Sequence, residues 1–296
     1  MPRSLLRGSL LKFILVAIGL EWLLNKMAWF KKHISGAAKP HECIQGLWIG
    51  DSLSAMEAAS IQSYLNHGHD FHLYTYGDVG NVPAGAIIYD ANEIVDQSRI
   101  FKYADFDSYA GFANLFRYTL LFKKGGYWSD LDIFCLRPLT FTGRYLFAGD
   151  PLRLGWKRRL KNILGSHINV CFMKAPAGNE FCREAIEYCQ AQDVKKLQWG
   201  QTGPDLCTRL VPQMGLKRYV APIPAFCAIP SINWADFISE DPRVQSRRWR
   251  ELSSKRVFAV HLWHEMWRRS GVDKTPSFHP DCLYERLKRV IMASST

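Results

Sequence analysis

The feature that most constrains the fold of this sequence is a helix pattern that ends at two glycines and leads into an apolar segment with two aspartates. Ala110–Lys124 offers a broad apolar surface, and Lys123 and Lys124 occupy its last turn, where the helix dipole favours cations. Gly125–Gly126 ends this pattern, and Tyr127–Ile133 (YWSDLDI) is predicted to form a strand. The sequence therefore predicts a helix and a strand joined by a sharp turn.

The segments before this unit alternate between strand and helix patterns. Cys43–Ile49, Phe71–Tyr76 and Ala86–Tyr89 are short apolar runs typical of buried strands. A capping box at Ser54–Glu57 opens a helix between the first two runs, and that helix is predicted to end near His67–Gly68. This β-α-β-β order predicts an α/β fold with a mostly parallel, nucleotide-handling sheet.

The composition suits one large domain, residues 41–296, and favours an anionic partner. Of 296 residues, 48% are hydrophobic and 22% charged, which allows a sizeable core and excludes wholesale disorder. The net charge is +11, and basic residues cluster in Arg153–Lys161 and Arg243–Arg250, as solvated helix faces or as docking sites for an anionic membrane or lipid phosphate. No nucleic-acid-binding motif is present. The eight cysteines lack C-x-x-C spacing and are interpreted as reduced core residues.

The N-terminal segment, residues 1–40, is expected to associate with a membrane. Ser4–Lys32 is apolar but interrupted by charges, and its longest uncharged stretch, Phe13–Leu20, is too short to span a bilayer. We expect an amphipathic helix with Trp29 near the interface and Lys31–Lys32 on lipid phosphates, followed by a linker. A single-pass anchor and a helix packed on the globular body are the alternatives.

Asp130 and Asp132 carry the clearest chemical implication. Side chains two apart on a strand share a face, so both carboxylates are expected to point the same way. Such like charges are costly unless a cation lies between them, and Mn²⁺ or Mg²⁺ would in turn hold a diphosphate. The alternative is two solvated carboxylates at a strand end. Asn114 and Arg117 share a face of the preceding helix, and Arg117 is expected to bind the carboxylates, a phosphate or sugar hydroxyls.

A family resemblance covers residues 43–270. Phe112–Leu139 (FANLFRYTLLFKKGGYWSDLDIFCLRPL) resembles the D-x-D sugar-binding region of glycosyltransferase family 32, and it is similar to the same region of clostridial glucosylating toxins. Leu47–Gly50 resembles the W-I-G end of the family's first strand, Gly203–Pro204 its G-P motif, and His261–Trp263 its late H-x-W. The family includes initiating mannosyltransferases, α-1,4-galactosyltransferases and bacterial capsule or lipopolysaccharide enzymes.

The resemblance implies a GT-A fold, a Rossmann-like mixed sheet flanked by helices, and a metal-dependent transferase. The implied reaction moves a hexose from a UDP- or GDP-sugar to a glycan or glycolipid acceptor with retention, in surface polysaccharide or lipopolysaccharide synthesis. The implied location is the cytoplasmic face of the bacterial inner membrane, peripheral or single-pass, with a Golgi membrane as the alternative. A non-catalytic, membrane-associated nucleotide-sugar-binding or assembly protein is the competing function, against which the intact Asp130, Asp132 and Arg117 argue.

The resemblance also implies roles for individual residues around the metal and the nucleotide. Asp132 is expected to bind the metal directly, and Asp130 to bind it through water or to contact the ribose. His261 is the candidate third ligand, with a core histidine beside Trp263 as the alternative. Trp48 is expected to stack on the nucleobase, unless it is a core residue. The residues expected to contact the donor are Trp48, Asn114, Arg117, Asp130 and Trp263.

The donor sugar is expected to meet two further polar residues, Asn169 and Gln201, which join Arg117 and the two aspartates as catalytic candidates. Retention is expected to proceed by same-face attack, in which the leaving phosphate helps to take the acceptor proton. A double displacement would need a carboxylate near the anomeric carbon, and Asp205 is the candidate for that role. Asn114 stands where toxin-like members carry Asp, which removes a charge but keeps hydrogen bonding.

Overall fold

The computed structural model describes residues 27–34, 43–150 and 167–294, which form a six-stranded mixed sheet, a two-stranded sheet and packed helices. The strands are β1 (Ile44–Trp48), β2 (Phe71–Thr75), β3 (Ala86–Asp90), β4 (Gly126–Ser129), β5 (Ile133–Cys135), β6 (Leu146–Asp150), β7 (His167–Ala175) and β8 (Ala259–His261). The α-helices are α1 (27–33), α2 (Ala55–Leu65), α3 (Ala110–Lys123), α4 (Glu180–Gln190), α5 (Pro204–Gln213), α6 (Pro242–Leu252), α7 (His264–Arg269) and α8 (Leu283–Ala293).

The topology of the large sheet places a crevice beside β1. Its strand order is β3-β2-β1-β4-β7-β6, in which β3, β2, β1 and β4 are parallel and β7 runs antiparallel to both β4 and β6. The chain first builds outward from β1 to β3 and then returns through α3 to β4 on the other side of β1. The carboxyl ends of β1 and β4 therefore border a topological switch point, where open α/β sheets bind their ligands. The predicted mixed α/β sheet flanked by helices is confirmed.

The hydrophobic core has two parts, one on each face of the large sheet. Tyr127 and Trp128 are neighbours on β4, yet Tyr127 packs in one cluster and Trp128 in the other, because successive strand residues face opposite sides. Helices α2 and α8 cover the first face and α3, α4 and α5 the second. All eight cysteines lie in the described ranges, and no disulfide joins any two of them, in line with the reduced state predicted from their spacing.

The predicted elements before the D-x-D segment are confirmed with small shifts at their ends. The hydroxyl of Ser54 accepts a hydrogen bond from the N–H of Met56 (3.2 Å), and the Ser54 N–H donates to the Glu57 carboxylate (3.0 Å), which completes the capping box. Helix α2 ends at Leu65 rather than near His67–Gly68. Gly125 and Gly126 both have positive φ (69° and 88°), the conformation that a sharp turn requires and that other residues rarely adopt.

The prediction that one strand carries both aspartates is wrong. Strand β4 ends at Ser129, and β5 begins at Ile133 in the other sheet, so Asp130–Asp132 is the turn between two sheets. The turn is fixed at both ends, because the Asp130 N–H donates to the Cys171 carbonyl (2.8 Å) and the Asp132 carbonyl accepts from the Leu262 N–H (2.9 Å). The turn, and not strand alternation, brings both carboxylates to one wall.

Residues 27–34 pack on the globular body, as the packed-helix alternative for the N-terminal segment predicts for this part of it. The Trp29 indole N–H donates to the Arg218 carbonyl (3.1 Å), and the Thr142 N–H donates to the His33 carbonyl (3.0 Å). Phe30 stacks on Phe258, with ring centroids 6.3 Å apart. Within the described ranges no helix is long and apolar enough to cross a membrane. The predicted amphipathic helix before residue 27, the linker at 35–40 and the basic cluster 153–161 lie outside the described residues.

Candidate active site

A cleft of about 600 Å³ opens at the carboxyl ends of β1 and β4. Its walls come from the end of β1, the first half of α3, the Asp130–Asp132 turn, the start of β7 and the segment after β8. The structure brings eight of the predicted site residues to this cleft: Trp48, Asn114, Arg117, Asp130, Asp132, Asn169, His261 and Trp263. Asp205, the residue suggested for a double displacement, also lies on the wall and is exposed at the first turn of α5.

One carboxylate of the pair is held by a buried arginine. Arg117 is 3% exposed, and its Nη2 lies 2.6 Å from Oδ1 of Asp130, while its Nη1 donates to the side-chain oxygen of Asn114. The Trp128 indole N–H donates to the same Oδ1 (2.8 Å), and its ring packs under the guanidinium at 4.8 Å. The predicted salt bridge from Arg117 is therefore present. Both donors reach Oδ1, which leaves Oδ2 of Asp130 as the oxygen for a ligand in the cleft.

The second carboxylate is held by the segment that follows β8. Oδ2 of Asp132 lies 3.2 Å from Nε2 of His261 and accepts the backbone N–H of His264 at 2.9 Å. His261 reaches this position because β5 and β8 pair antiparallel, with Ile133 opposite His261. The His261 ring lies 3.9 Å from the Trp263 ring, so His261 is both a cleft residue and a neighbour of Trp263.

The two carboxyls differ in acidity. Burial raises the pKa of Asp130, and Asp132 raises it further, while Arg117 acts in the opposite direction. Burial acts in the same direction on Asp132, but the His261 imidazole and the His264 N–H hold the pKa of that carboxyl well below its usual range. Burial disfavours the His261 imidazolium, yet Asp132 raises the pKa of His261 well above its usual value. A cation bound through Nε2 would therefore displace a proton from His261.

The donor atoms at this wall fit a hard divalent cation. Two carboxylates and an imidazole are ligands that Mn²⁺ and Mg²⁺ accept. Metal–oxygen distances of about 2.0–2.1 Å place neighbouring octahedral ligands about 3 Å apart. The 3.2 Å between Oδ2 of Asp132 and Nε2 of His261 suits two ligands of one such ion. Asp132 and His261 would hold it directly, and Asp130, whose carboxylate lies farther from these two ligand atoms, would reach it through water.

The end of β1 forms another part of the cleft through Trp48. Trp48 is half-buried, and its indole N–H is a buried donor that meets no acceptor within the described residues. The Lys274 ammonium lies 5.5 Å from the centre of its ring and pairs with Glu57, whose other carboxylate oxygen completes the α2 capping box. The wall therefore offers an aromatic surface, and Lys274 lies behind it as the partner of Glu57. Glu57 lines the cleft but was not predicted as a site residue, because its sequence pattern is explained fully by helix capping.

Asn169 belongs to a polar group at the junction of β6 and β7. Its amide nitrogen donates to Oδ2 of Asp150 (3.0 Å), its oxygen accepts the Cys171 N–H (2.8 Å), and Nδ1 of His167 lies 3.6 Å from the same Asp150 oxygen. Asp150 and His167 line the cleft and were missed from the sequence. Asp150 and His167 lie together because they are paired across β6 and β7. No local sequence pattern shows this pairing.

Gln201 is the one predicted site residue that the structure does not bring to the cleft wall. Its side-chain amide donates to Gln192 (2.8 Å), and its side-chain oxygen accepts the N–H of Gln198 (3.0 Å), so the polar groups serve the loop itself. The same loop reaches the site through Gly203, which packs against the Asn114 amide so closely that a Cβ there would lie 2.9 Å from Nδ2. The prediction for Gln201 identified the correct loop but the wrong residue of it.

Aromatic residues gather at one edge of the cleft and were not predicted. Trp199 is 38% exposed, and its ring centroid lies 5.0 Å from that of Tyr103 and 5.3 Å from that of Phe106. The Arg269 guanidinium stacks on Trp199 at 4.1 Å. Aromatic and planar cationic groups of this kind bind the faces of sugar rings and bases. The only sequence signal was a tryptophan close to the G-P motif.

Comparison with known proteins agrees with this geometry. Residues 54–152 match the family model described as the glycosyltransferase sugar-binding region containing DXD motif, a segment that includes Asn114, Arg117, Asp130 and Asp132. Over this segment the match confirms the resemblance to D-x-D glycosyltransferases that the sequence predicted.

Solved glycosyltransferases are similar to the chain at low identity. The PaToxG glycosyltransferase is 13% identical, with a TM-score of 0.40 over 94% of this chain and 95% of that chain. The galactosyltransferase LgtC, in complex with donor and acceptor sugar analogues, is 13% identical, with a TM-score of 0.44 over 85% of this chain and 96% of that chain. The glycosyltransferase GlyE of Streptococcus pneumoniae TIGR4 is 11% identical, with a TM-score of 0.41 over 86% and 64%. No curated protein sequence matches the chain significantly.

Proposed function

We propose that the chain is a metal-dependent GT-A glycosyltransferase that moves a hexose from a UDP- or GDP-sugar to a glycan or glycolipid acceptor with retention. The observation that carries this proposal is the meeting of Asp130, Asp132 and His261 at one wall of a cleft large enough for a nucleotide-sugar. The family segment that contains the two aspartates supports it independently. A cation bound there would neutralise the charge that develops on the departing diphosphate.

The protein residues would position the groups around that charge. Arg117 and Trp128 orient Asp130, and the His264 N–H orients Asp132, so neither carboxylate has to reorganise when a ligand arrives. Trp48, which lines the cleft, would stack on the nucleobase. Asn169 and Asp150 lie on the wall formed by β6 and β7, where they could accept or donate hydrogen bonds to donor-sugar hydroxyls.

We assign the acceptor to the aromatic edge of the cleft. Trp199 is 38% exposed and offers a ring face there, with the buried Tyr103 ring packed beside it. The guanidinium of Arg269 stacks on Trp199 and donates a hydrogen bond to the Glu265 carboxylate (2.7 Å). A sugar ring covers an aromatic face with its C–H groups and leaves its hydroxyls for polar neighbours. The nucleotide would then occupy the Trp48 side and the acceptor the Trp199 side, with the aspartates between them.

The decisive experiment is a donor screen on purified protein with Asp132→Ala and a matched surface control. We expect Mn²⁺-dependent release of nucleoside diphosphate from one of UDP-galactose, UDP-glucose, UDP-N-acetylglucosamine or GDP-mannose, and loss of that release in Asp132→Ala. Asp193→Ala, at an exposed turn, should keep full activity. Full activity of Asp132→Ala would overturn the metal assignment. Donor binding without any turnover would favour the non-catalytic nucleotide-sugar-binding protein, and the product's anomeric configuration by NMR tests retention.

The location at the cytoplasmic face of a bacterial inner membrane is a further part of the proposal. Its support is the net charge of +11 and the exposed arginines of α6, such as Arg243 and Arg250. Arg248 of the same run does not contribute, because it is buried and pairs with Asp236 and Glu251, each at 2.6 Å. Flotation with anionic and with neutral vesicles tests the idea, and equal binding to both would contradict a charge-driven association.

A further inference from the structure

Two buried cysteines lie behind the imidazole that faces Asp132. A ring nitrogen of His261 and the Sγ atoms of Cys171 and Cys227 all lie within 4.8 Å of one another. Neither cysteine is exposed, and neither lines the cleft. The proposed reaction uses neither thiol, so the function assigned to the cleft does not explain the cluster.

The three side chains are held by a frame of backbone hydrogen bonds. The Cys171 carbonyl accepts the Asp130 N–H (2.8 Å), and the Cys171 N–H donates to the Asn169 side chain (2.8 Å). The His261 N–H donates to the carbonyl of Phe226, the residue directly before Cys227 (3.1 Å). Three separate segments therefore present their side chains to one point, as a preformed ligand site requires.

The imidazole points independently to a ligand on the side of the thiols. Nε2 of His261 faces Asp132, which leaves Nδ1 for the two cysteines. His261 is 8% exposed, and its buried Nδ1 makes no well-aligned hydrogen bond, because the Cys171 thiol beside the ring is a weak partner. A poorly satisfied buried polar atom is costly in a native protein, and coordination of an ion at that nitrogen would remove the cost.

The chemistry of the ligands identifies the class of ion. We propose that Cys171, Cys227 and Nδ1 of His261 form a second metal site that takes a thiophilic divalent cation, Zn²⁺ being the natural one. Two thiolates and one imidazole favour such ions, whereas Mn²⁺ and Mg²⁺ prefer oxygen. Sulfur ligands of tetrahedral zinc lie about 3.8 Å apart at a Zn–S distance of about 2.3 Å, so binding draws the side chains together by about an ångström at most.

Occupation of this site excludes the hard cation from the cleft. Each thiol releases its proton to solvent as its sulfur coordinates, any proton on Nδ1 of His261 also leaves to solvent, and the imidazole keeps one proton on Nε2. That N–H donates to Oδ2 of Asp132, as the 3.2 Å separation allows. The hard cation needs both the Nε2 lone pair and the Asp132 oxygen. The two sites therefore compete for one imidazole. A thiophilic cation bound at the second site would inhibit the proposed transfer reaction.

Co²⁺ as a spectroscopic probe tests the site without any assay of activity. In the purified full chain we expect a thiolate-to-cobalt charge-transfer absorption that Zn²⁺ abolishes. Cys227→Ser should reduce this absorption at least tenfold, and Cys182→Ala, a buried cysteine of α4, should leave it unchanged. Absence of the absorption from the parent protein, or equal intensity in Cys227→Ser, would overturn the proposal. Thermal unfolding of each variant identifies any that fails to fold.

Calorimetry in buffers of different ionisation enthalpy provides a test that needs no variant. A thiol with an ordinary pKa of about 8.5 is protonated near neutral pH and must lose its proton to coordinate. We expect two or more protons per Zn²⁺ bound, and fewer than two would contradict the thiolate ligands. We also expect Zn²⁺ to inhibit Mn²⁺-dependent turnover, at least tenfold more weakly in Cys227→Ser, and this expectation rests on the proposed function. The cobalt and proton measurements do not depend on activity, so a failure of the second metal site can be told from a failure of the proposed function.

Discussion

Nη2 of Arg117 and Oδ1 of Asp130 lie 2.6 Å apart, and this contact joins helix α3 to the turn between the two sheets. The guanidinium is buried, whereas the carboxylate keeps one edge toward the cleft. Arginine suits this position because its planar fork reaches Asn114 and Asp130 at once. Through this contact Arg117 of α3 fixes the position of the Asp130 carboxylate at the cleft wall.

Removal of the arginine alone should destabilise the fold more than removal of both partners. We expect Arg117→Met to cost on the order of 3 kcal/mol, because it leaves Asp130 partly buried and unpaired. The double variant Arg117→Met with Asp130→Asn should recover part of this loss. Urea denaturation measures both. Arg183→Met, which breaks the exposed pair with Glu180, should cost under about 1 kcal/mol. A double variant less stable than Arg117→Met would contradict the pairing.

Loss of the Trp48 ring should weaken binding of the nucleotide-sugar donor and leave binding of the acceptor unchanged. We expect Trp48→Leu to raise the KM for the nucleotide-sugar about tenfold, because stacking contributes about 1–3 kcal/mol per base. The KM for the acceptor should change little. Initial rates at varied donor concentration check this, and an unchanged donor KM would show that Trp48 is a core residue.

Trp199 should produce the opposite pattern. We expect Trp199→Leu to raise the KM for the acceptor about tenfold through the loss of an aromatic face, with little change for the donor. Acceptor-independent donor hydrolysis should continue at its original rate in this variant. Together with Trp48→Leu it forms a reciprocal pair of controls, and equal effects of both variants on both substrates would refute the division of the cleft.

Gly203 is expected to tolerate no side chain. A Cβ there would lie 2.9 Å from Nδ2 of Asn114, and Asn114 is the partner of Arg117. We expect Gly203→Ala to shift this amide and lower turnover about tenfold to 100-fold, since misplacement by about an ångström can cost that much. Gly77→Ala, where a Cβ meets open space, is the control. Equal turnover in the two variants would contradict the role given to the close contact.

Truncations on either side of residues 27–34 should separate packing from membrane association. Removal of residues 1–26 should leave the unfolding temperature unchanged. Removal of residues 1–34 should lower it by roughly 5 °C, because Phe141 and Phe258 lose the cover of Trp29 and Phe30. Both truncations should reduce binding to anionic vesicles if the segment before residue 27 is the membrane contact. Unchanged binding in both would place that contact elsewhere.

Local signals in the sequence predicted the individual helices, turns and strands but not which of them pack or pair with one another. The α2 capping box, the Gly125–Gly126 turn and the short apolar strands each depend on neighbouring residues, and all are confirmed. The turn at Asp130–Asp132 looked like a strand because strand patterns precede and follow it without a break. Only the pairing of β5 with β8, which are far apart in sequence, shows that the chain changes sheets there.

The same limit explains which site residues were found. Asp130, Asp132 and Arg117 belong to one continuous segment, where spacing and composition are informative. Asp150 and Glu57 join the cleft only through strand pairing and a long-range ion pair, which leave no trace in the spacing of residues. Gln201 was chosen for its polarity in a glycine-rich loop, yet the loop uses that amide to fix its own shape.

Asp130 directly follows β4 of the six-stranded sheet, whereas Asp132 directly precedes β5 and His261 ends β8 of the two-stranded sheet. An ion bound by Asp132 and His261, and through water by Asp130, would add a further link between the two sheets beside the turn that joins them. The same few residues would then bind the ion and join the two sheets. A substitution that weakens the packing of the two-stranded sheet, for example where Phe134 stacks on Tyr284, would therefore lower turnover although neither residue lines the cleft.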